Sequence, residues 1–145
     1  MIEGVLIKPL KIFSDDRGKV LHMLKSEDAF LGSFGEIYFS IINPGYVKAW
    51  KKHKLMTQHY AVPYGDIRLV IYYDRPKSSS LGAIQEIFLG LNNYCLVRIP
   101  PLVWYGFQSL NDQLALVANF TDIPHDPAEV INKDHSDKEI PFHWE

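Results

Sequence analysis

The stretch Asp66-Ile67-Arg68-Leu69-Val70-Ile71-Tyr72-Tyr73 begins by alternating polar with apolar residues and then runs apolar. That is the pattern of a strand with one face, then both, removed from water. Outward from it, similar short stretches recur at 5–12, 18–24, 36–42, 46–50, 59–62, 83–89, 94–99 and 114–120. Many are rich in Val, Ile, Tyr and Phe, side chains that suit a pleated, half-buried surface. Turn chemistry separates them: Asp15-Asp16-Arg17-Gly18, Asn43-Pro44-Gly45, Arg75-Pro76-Lys77-Ser78 and Leu91-Asn92-Asn93. Many short strands joined by such turns predict an all-β sandwich or barrel. With no linker and no internal repeat, one domain over 1–145 is expected. Helix signals are few. Ser26 can cap a turn through Glu27-Asp28-Ala29-Phe30 before Gly32 stops it. Asp126-Pro127-Ala128-Glu129 places a capping side chain before a first-turn proline, which predicts a short helix through about Asn132.

Composition narrows the function. The chain has 145 residues, 47% hydrophobic and 22% charged, enough for a buried core and unlike a disordered or fibrous chain. A net charge of −2 argues against a nucleic-acid or membrane-surface partner. The single Cys95 excludes an internal disulfide and a multi-cysteine metal cluster. Met1-Ile2-Glu3-Gly4 lacks the basic-then-apolar pattern of a secretion signal, and no apolar run approaches the roughly 20 residues that span a bilayer. A cytoplasmic globular protein is expected.

Charge is uneven. Residues 122–145 hold seven acids against two lysines, whereas Lys48, Lys51, Lys52 and Lys54 crowd around Trp50 and His53. Such lysines either guard an edge strand against pairing or form an electropositive lip for an anion such as a pyrophosphate. Among the six histidines, His53 is the candidate with a site around it. Period-two alternation puts Lys51 on its face, so an ammonium stands where a metal site would need a second imidazole. A metal would instead require His53 and His59 to converge through an intervening turn, and no metal or cofactor is expected. His53 suits a metal-free base, because an imidazole titrates near neutral pH. A base of this kind wants a carboxylate to hold its tautomer, and the acidic tail offers Asp134 and Asp137. The competing reading is a surface histidine in a lysine-rich loop. Cys95, between Tyr94 and Leu96 in a strand, reads as a small buried hydrophobe.

Taken in order, several of these pieces resemble the dTDP-4-dehydrorhamnose 3,5-epimerase-like cupins of sugar-nucleotide metabolism. They are Phe13-Ser14-Asp15-Asp16-Arg17-Gly18, Val47-Lys48-Ala49-Trp50-Lys51-Lys52-His53, the strand 66–75 closing on Asp74-Arg75, Ile99-Pro100-Pro101 before Gly106-Phe107, and the end from Pro127 to Trp144. The resemblance implies a double-stranded β-helix (cupin jelly roll) with one or two short helices, a nucleotide sugar bound in the barrel, and a homodimer. It implies proton abstraction beside the 4-keto group of an NDP-4-keto-6-deoxy sugar, with His53 as base and Asp134 as its orienting carboxylate. The chain departs from the family pattern at Trp50, Gln58, Tyr105 and Ala118, where the family carries Arg, Lys, His and the acid Tyr. Tyr105 is then the replacement acid, Lys51 faces the enolate oxygen, and Arg17, Lys51, Gln58 and Asn119 are expected to bind substrate. The stretches around Lys48 and Pro100 are also similar to dTDP-sugar 3,4-ketoisomerases, which use two histidines where Lys51 and His53 stand. A non-catalytic sugar-nucleotide-binding or scaffolding module is the alternative that these departures motivate.

Overall fold

Twelve strands and one three-residue 3-10 turn make up the ordered elements of the computed structural model, which describes residues 1–76 and 79–145. In chain order they are β1 (Leu6–Pro9), β2 (Ile12–Asp15), β3 (Gly18–Leu21), β4 (Glu36–Ile42), β5 (Val47–His53), β6 (Gln58–Tyr64), β7 (Ile67–Tyr72), β8 (Ile84–Leu89), β9 (Cys95–Ile99), β10 (Trp104–Ser109), β11 (Ala115–Thr121) and β12 (Val130–Asn132). Two five-stranded antiparallel sheets face each other, in the orders β1-β9-β6-β11-β4 and β12-β5-β10-β7-β8. β2 and β3 form a separate hairpin. This is the expected jelly roll. Lys77 and Ser78 of the expected turn after Arg75 lie outside the described residues.

Side-chain alternation decides where each sheet looks. Ile67, Leu69 and Ile71 of β7 meet Val62, Val97 and Val117 of the facing sheet in one buried cluster. Burying such aliphatic side chains contributes roughly 1.5–3 kcal/mol each before entropy is set against it. A second cluster covers the outer face of the β5-β10-β7 sheet, where Trp50, Val70 and Trp104 lie under Ile140, Phe142 and Trp144 of the carboxyl-terminal tail. Gly106 makes that cover fit: a Cβ there would stand 2.4 Å from Ala49 Cβ and 3.0 Å from the Trp144 ring. Because both faces are covered, all six residues of β10 are buried.

The expected helices are corrected. Ser26 and its neighbours form turns. Asp126 does cap, its carboxylate accepting from Ala128 N at 3.0 Å, but the turn ends after Pro127–Glu129. From Val130 the chain extends instead of coiling, because β5 offers a free edge: Val130, Ile131 and Asn132 pair with His53, Lys52 and Lys51. No helix among the described residues is long and apolar enough to cross a membrane.

Candidate active site

Strand β5 carries Lys48, Lys51 and His53 of the site. His53 and Lys51 share its inner face, as alternation requires, and the register opposes Lys51 to Tyr105 of β10. A bulge between Tyr105 and Phe107 shifts the pairing by one, so that Phe107 opposes Lys48. The open end of the barrel is a cavity of about 670 Å³. Lys48, Lys51, Gln58, Tyr60 and Tyr105 line it, joined by Tyr38 from β4. Its size is that of a small-molecule site.

His53 is 5% exposed. Its Nδ1 is hydrogen-bonded to the carboxylate of Glu129, and its Nε2 lies 3.0 Å from the Tyr105 hydroxyl. Glu129 is itself buried, and its second oxygen accepts from the backbone N–H groups of Lys54 and Leu55, both at 3.0 Å, and of Met56 at 3.3 Å. Burial alone would raise the Glu129 pKa. The His53 ring N–H and the Leu55 and Met56 amides outweigh it and hold the carboxyl below the ordinary glutamate range. An ionised Glu129 requires a donor opposite, which places the neutral imidazole's proton on Nδ1 and its lone pair on Nε2.

The lowered Glu129 pKa has a stability consequence. A depressed carboxylate contributes stability above its unfolded pKa of about 4.3 and loses that contribution as pH falls through the folded value. The unfolding free-energy gap between wild type and Glu129→Gln should therefore be widest near neutrality and narrow below about pH 4, as urea titrations across that range would show.

The tyrosines come from both sheets. Burial pushes the Tyr105 phenol well above its usual pKa, and Tyr60, edge-on to Tyr105 with ring centroids 6.1 Å apart, is pushed up for the same reason. Tyr38, on the opposing sheet, is raised by burial as well. Its hydroxyl accepts from Asn119 Nδ2 at 3.0 Å, and the same amide donates to Gln58 Oε1 at 2.9 Å. The Tyr105 hydroxyl lies 3.3 Å from that Gln58 oxygen. A connected polar chain thus runs Glu129–His53–Tyr105–Gln58–Asn119–Tyr38.

Set against the sequence expectations, His53, Tyr105, Gln58 and Asn119 come together, and Lys51 lines the same cavity. Asp134 is corrected as the partner of His53. It lines the cavity mouth, but its side chain is 68% exposed and turns back on the Ser136 N–H at 3.0 Å and the Ser136 hydroxyl. Glu129 takes its place because the 3-10 turn ends directly where β12 joins β5, beside His53. Arg17 sits at the tip of the β2–β3 hairpin, 90% exposed, ion-paired to Asp15 at 2.7 Å and outside the cavity lining. His59 points to the outer face of its sheet, its Nδ1 held 3.0 Å from the Phe120 carbonyl, so it does not converge with His53. Sequence reasoning missed Glu129, Tyr38 and Tyr60. For Tyr38 the signal was present, since 36–42 places Tyr38 and Ser40 together on one face.

No protein-family model matches the chain. Individual proteins do. A dTDP sugar isomerase from Desulfovibrio desulfuricans G20 is 47% identical, superposes with a TM-score of 0.96, and the match covers 99% of this chain and 92% of that one. The spore coat polysaccharide biosynthesis protein SpsL of Bacillus subtilis is 30% identical over 146 residues, 99% of this chain and 97% of its own. The dTDP-4-dehydrorhamnose 3,5-epimerase of Sulfolobus tokodaii, at 24% identity, shares the fold with a TM-score of 0.85 over 99% of this chain and 82% of that one. A jelly roll with a carboxylate–imidazole pair buried behind its cavity, in a chain related this closely along its whole length, belongs to the dTDP-4-dehydrorhamnose 3,5-epimerase-like family of nucleotide-sugar epimerases and isomerases.

Proposed function

We propose that this chain epimerises or isomerises an NDP-4-keto-6-deoxy sugar, with dTDP as the favoured nucleotide, in deoxysugar or surface-polysaccharide assembly. The observation that carries the reading is the His53–Glu129 pair, buried behind the end of a cavity large enough for a sugar. A proton beside a ketone is acidic enough for an imidazole to accept it, provided the enolate is stabilised as it forms. His53 is the final acceptor. Glu129 holds its tautomer and stabilises the imidazolium, as the acid of a catalytic triad does. Lys51 is assigned to the developing enolate oxygen, and Lys48 at the rim to the diphosphate. Tyr38, approaching from the opposite sheet, is the acid that returns a proton to the second face of the sugar. Epimerisation and ketoisomerisation share the enolate and differ in where the proton returns. The substrate class also suggests the compartment, since a nucleotide diphosphate does not cross bilayers and is met in the cytoplasm.

The same reading includes a homodimer. Alternation on the edge strand β4 turns Tyr38 and Ser40 to the cavity and leaves Ile37, Phe39 and Ile41 outside, each more than half exposed, with Phe34 beside them. A contiguous apolar stripe on a strand with one unpaired edge suits a second copy. Wild type should elute and scatter light as a dimer, and Phe39→Asp should shift it to monomer while leaving the fold intact by circular dichroism.

The functional test is a thermal-shift panel of nucleotides and nucleotide sugars, followed by NMR of each 4-keto-6-deoxy sugar incubated with the protein. A raised melting point with dTDP and a new sugar isomer support the reading. Stabilisation by a nucleotide sugar with no chemical change would favour a binding module.

A further inference from the structure

In the proposed reaction the imidazole must receive a proton from carbon, yet His53 does not face the cavity. The group that does is Tyr105. Its hydroxyl stands 3.0 Å in front of His53 Nε2, and the two rings lie nearly parallel, 13° apart with centroids at 5.8 Å. Tyr105 cannot easily swing aside. β10 is buried on both faces, Tyr60 packs edge-on against the ring, and Gln58 flanks the hydroxyl at 3.3 Å. We propose, resting on the function above, that Tyr105 is the residue that meets the sugar carbon, and that Glu129, His53 and Tyr105 form a proton relay.

The relay moves two protons and one electron pair. Tyr105 Oη takes the proton from the carbon beside the ketone while its own hydroxyl proton passes to His53 Nε2. The C–H electrons move into the carbonyl, leaving an enolate oxygen at Lys51 and an imidazolium against Glu129. Run in reverse, the same steps return a proton to carbon. Concerted transfer also answers the cost of ionising a phenol in this pocket, because no free tyrosinate forms. The arrangement follows triad logic, with a phenol where a serine hydroxyl would stand.

Tyr105→Phe keeps the ring and removes only the hydroxyl, leaving a gap between Nε2 and the cavity. The expected result is a loss of deuterium wash-in at the sugar carbon of about 10²-fold or more, as deep as in a His53 variant, with the dTDP-induced melting shift retained. In wild type, single-turnover carbon–hydrogen cleavage should show a normal solvent isotope effect, because a solvent-exchangeable proton moves in the same step. Wash-in by Tyr105→Phe at the wild-type rate would overturn the relay and leave the epimerase reading standing. So would a solvent isotope effect of unity, which decides the matter if the variant fails to fold. Wild-type protein that exchanges no proton with any nucleotide-linked 4-keto sugar would overturn both.

Discussion

Glu129→Ala is expected to lower the melting temperature by roughly 10–15 °C and to abolish turnover. The carboxylate is not a surface charge. It is buried, accepts three backbone N–H groups of the 54–56 turn, and holds the His53 ring. Removing one partner from a buried hydrogen-bonded charge costs on the order of 3–5 kcal/mol, because the donors left behind have lost their water as well. Glu129→Gln separates the two roles. It keeps the volume and an acceptor oxygen, so it should fold, but it removes the charge that stabilises an imidazolium. Turnover should fall by about 10²–10⁴-fold. Asp134→Asn supplies the contrast: its side chain is mostly in solvent, and such a change should alter stability by no more than about 0.5 kcal/mol. Differential scanning calorimetry on the three variants checks the set. Equal destabilisation by the Asp134 and Glu129 substitutions would contradict the assignment of Glu129.

His53→Asn is the second large effect. Asn Nδ2 can reproduce the donor that His Nδ1 offers Glu129, so the buried carboxylate keeps a partner and the barrel should survive. What disappears is the Nε2 lone pair. With no final acceptor for the proton, turnover should drop by about 10²–10⁴-fold. Nucleotide affinity should stay near wild type, because the diphosphate is assigned to Lys48 at the rim. Initial rates paired with dTDP titrations separate the two. A variant that loses affinity and rate together would place His53 in ligand binding rather than proton transfer.

Much of the barrel was legible because strands with one wet face declare themselves. The stretch 36–42 coincides with β4, and 83–89 and 94–99 begin within a residue of β8 and β9. Strand β10 was not legible. Trp104 to Ser109 carries no polar alternation, since the tail's Ile140, Phe142 and Trp144 cover the face that would otherwise be wet. Periodicity also leaves the sign of a face open. In β4 it groups Ile37, Phe39 and Ile41, but the structure turns that apolar group outward and the tyrosine inward. Glu129 escaped for a related reason. Within Asp126-Pro127-Ala128-Glu129 it reads as the fourth residue of a helix start, a local role. Its actual partners are 73 to 76 residues away, and only the pairing of β12 with β5 brings them together. His53 was legible because its type, its lysine neighbours and its strand position all belong to one short segment.

The central claim is that a carboxylate-backed imidazole is the final acceptor of the proton lost from a sugar carbon next to a ketone. NMR of a dTDP-4-keto-6-deoxy sugar in heavy water, with wild type and His53→Asn side by side, tests it most directly. The account predicts deuterium appearing at C3, C5 or both with wild type, and none above background with the variant. Equal incorporation by the two proteins, or none by either, would contradict it.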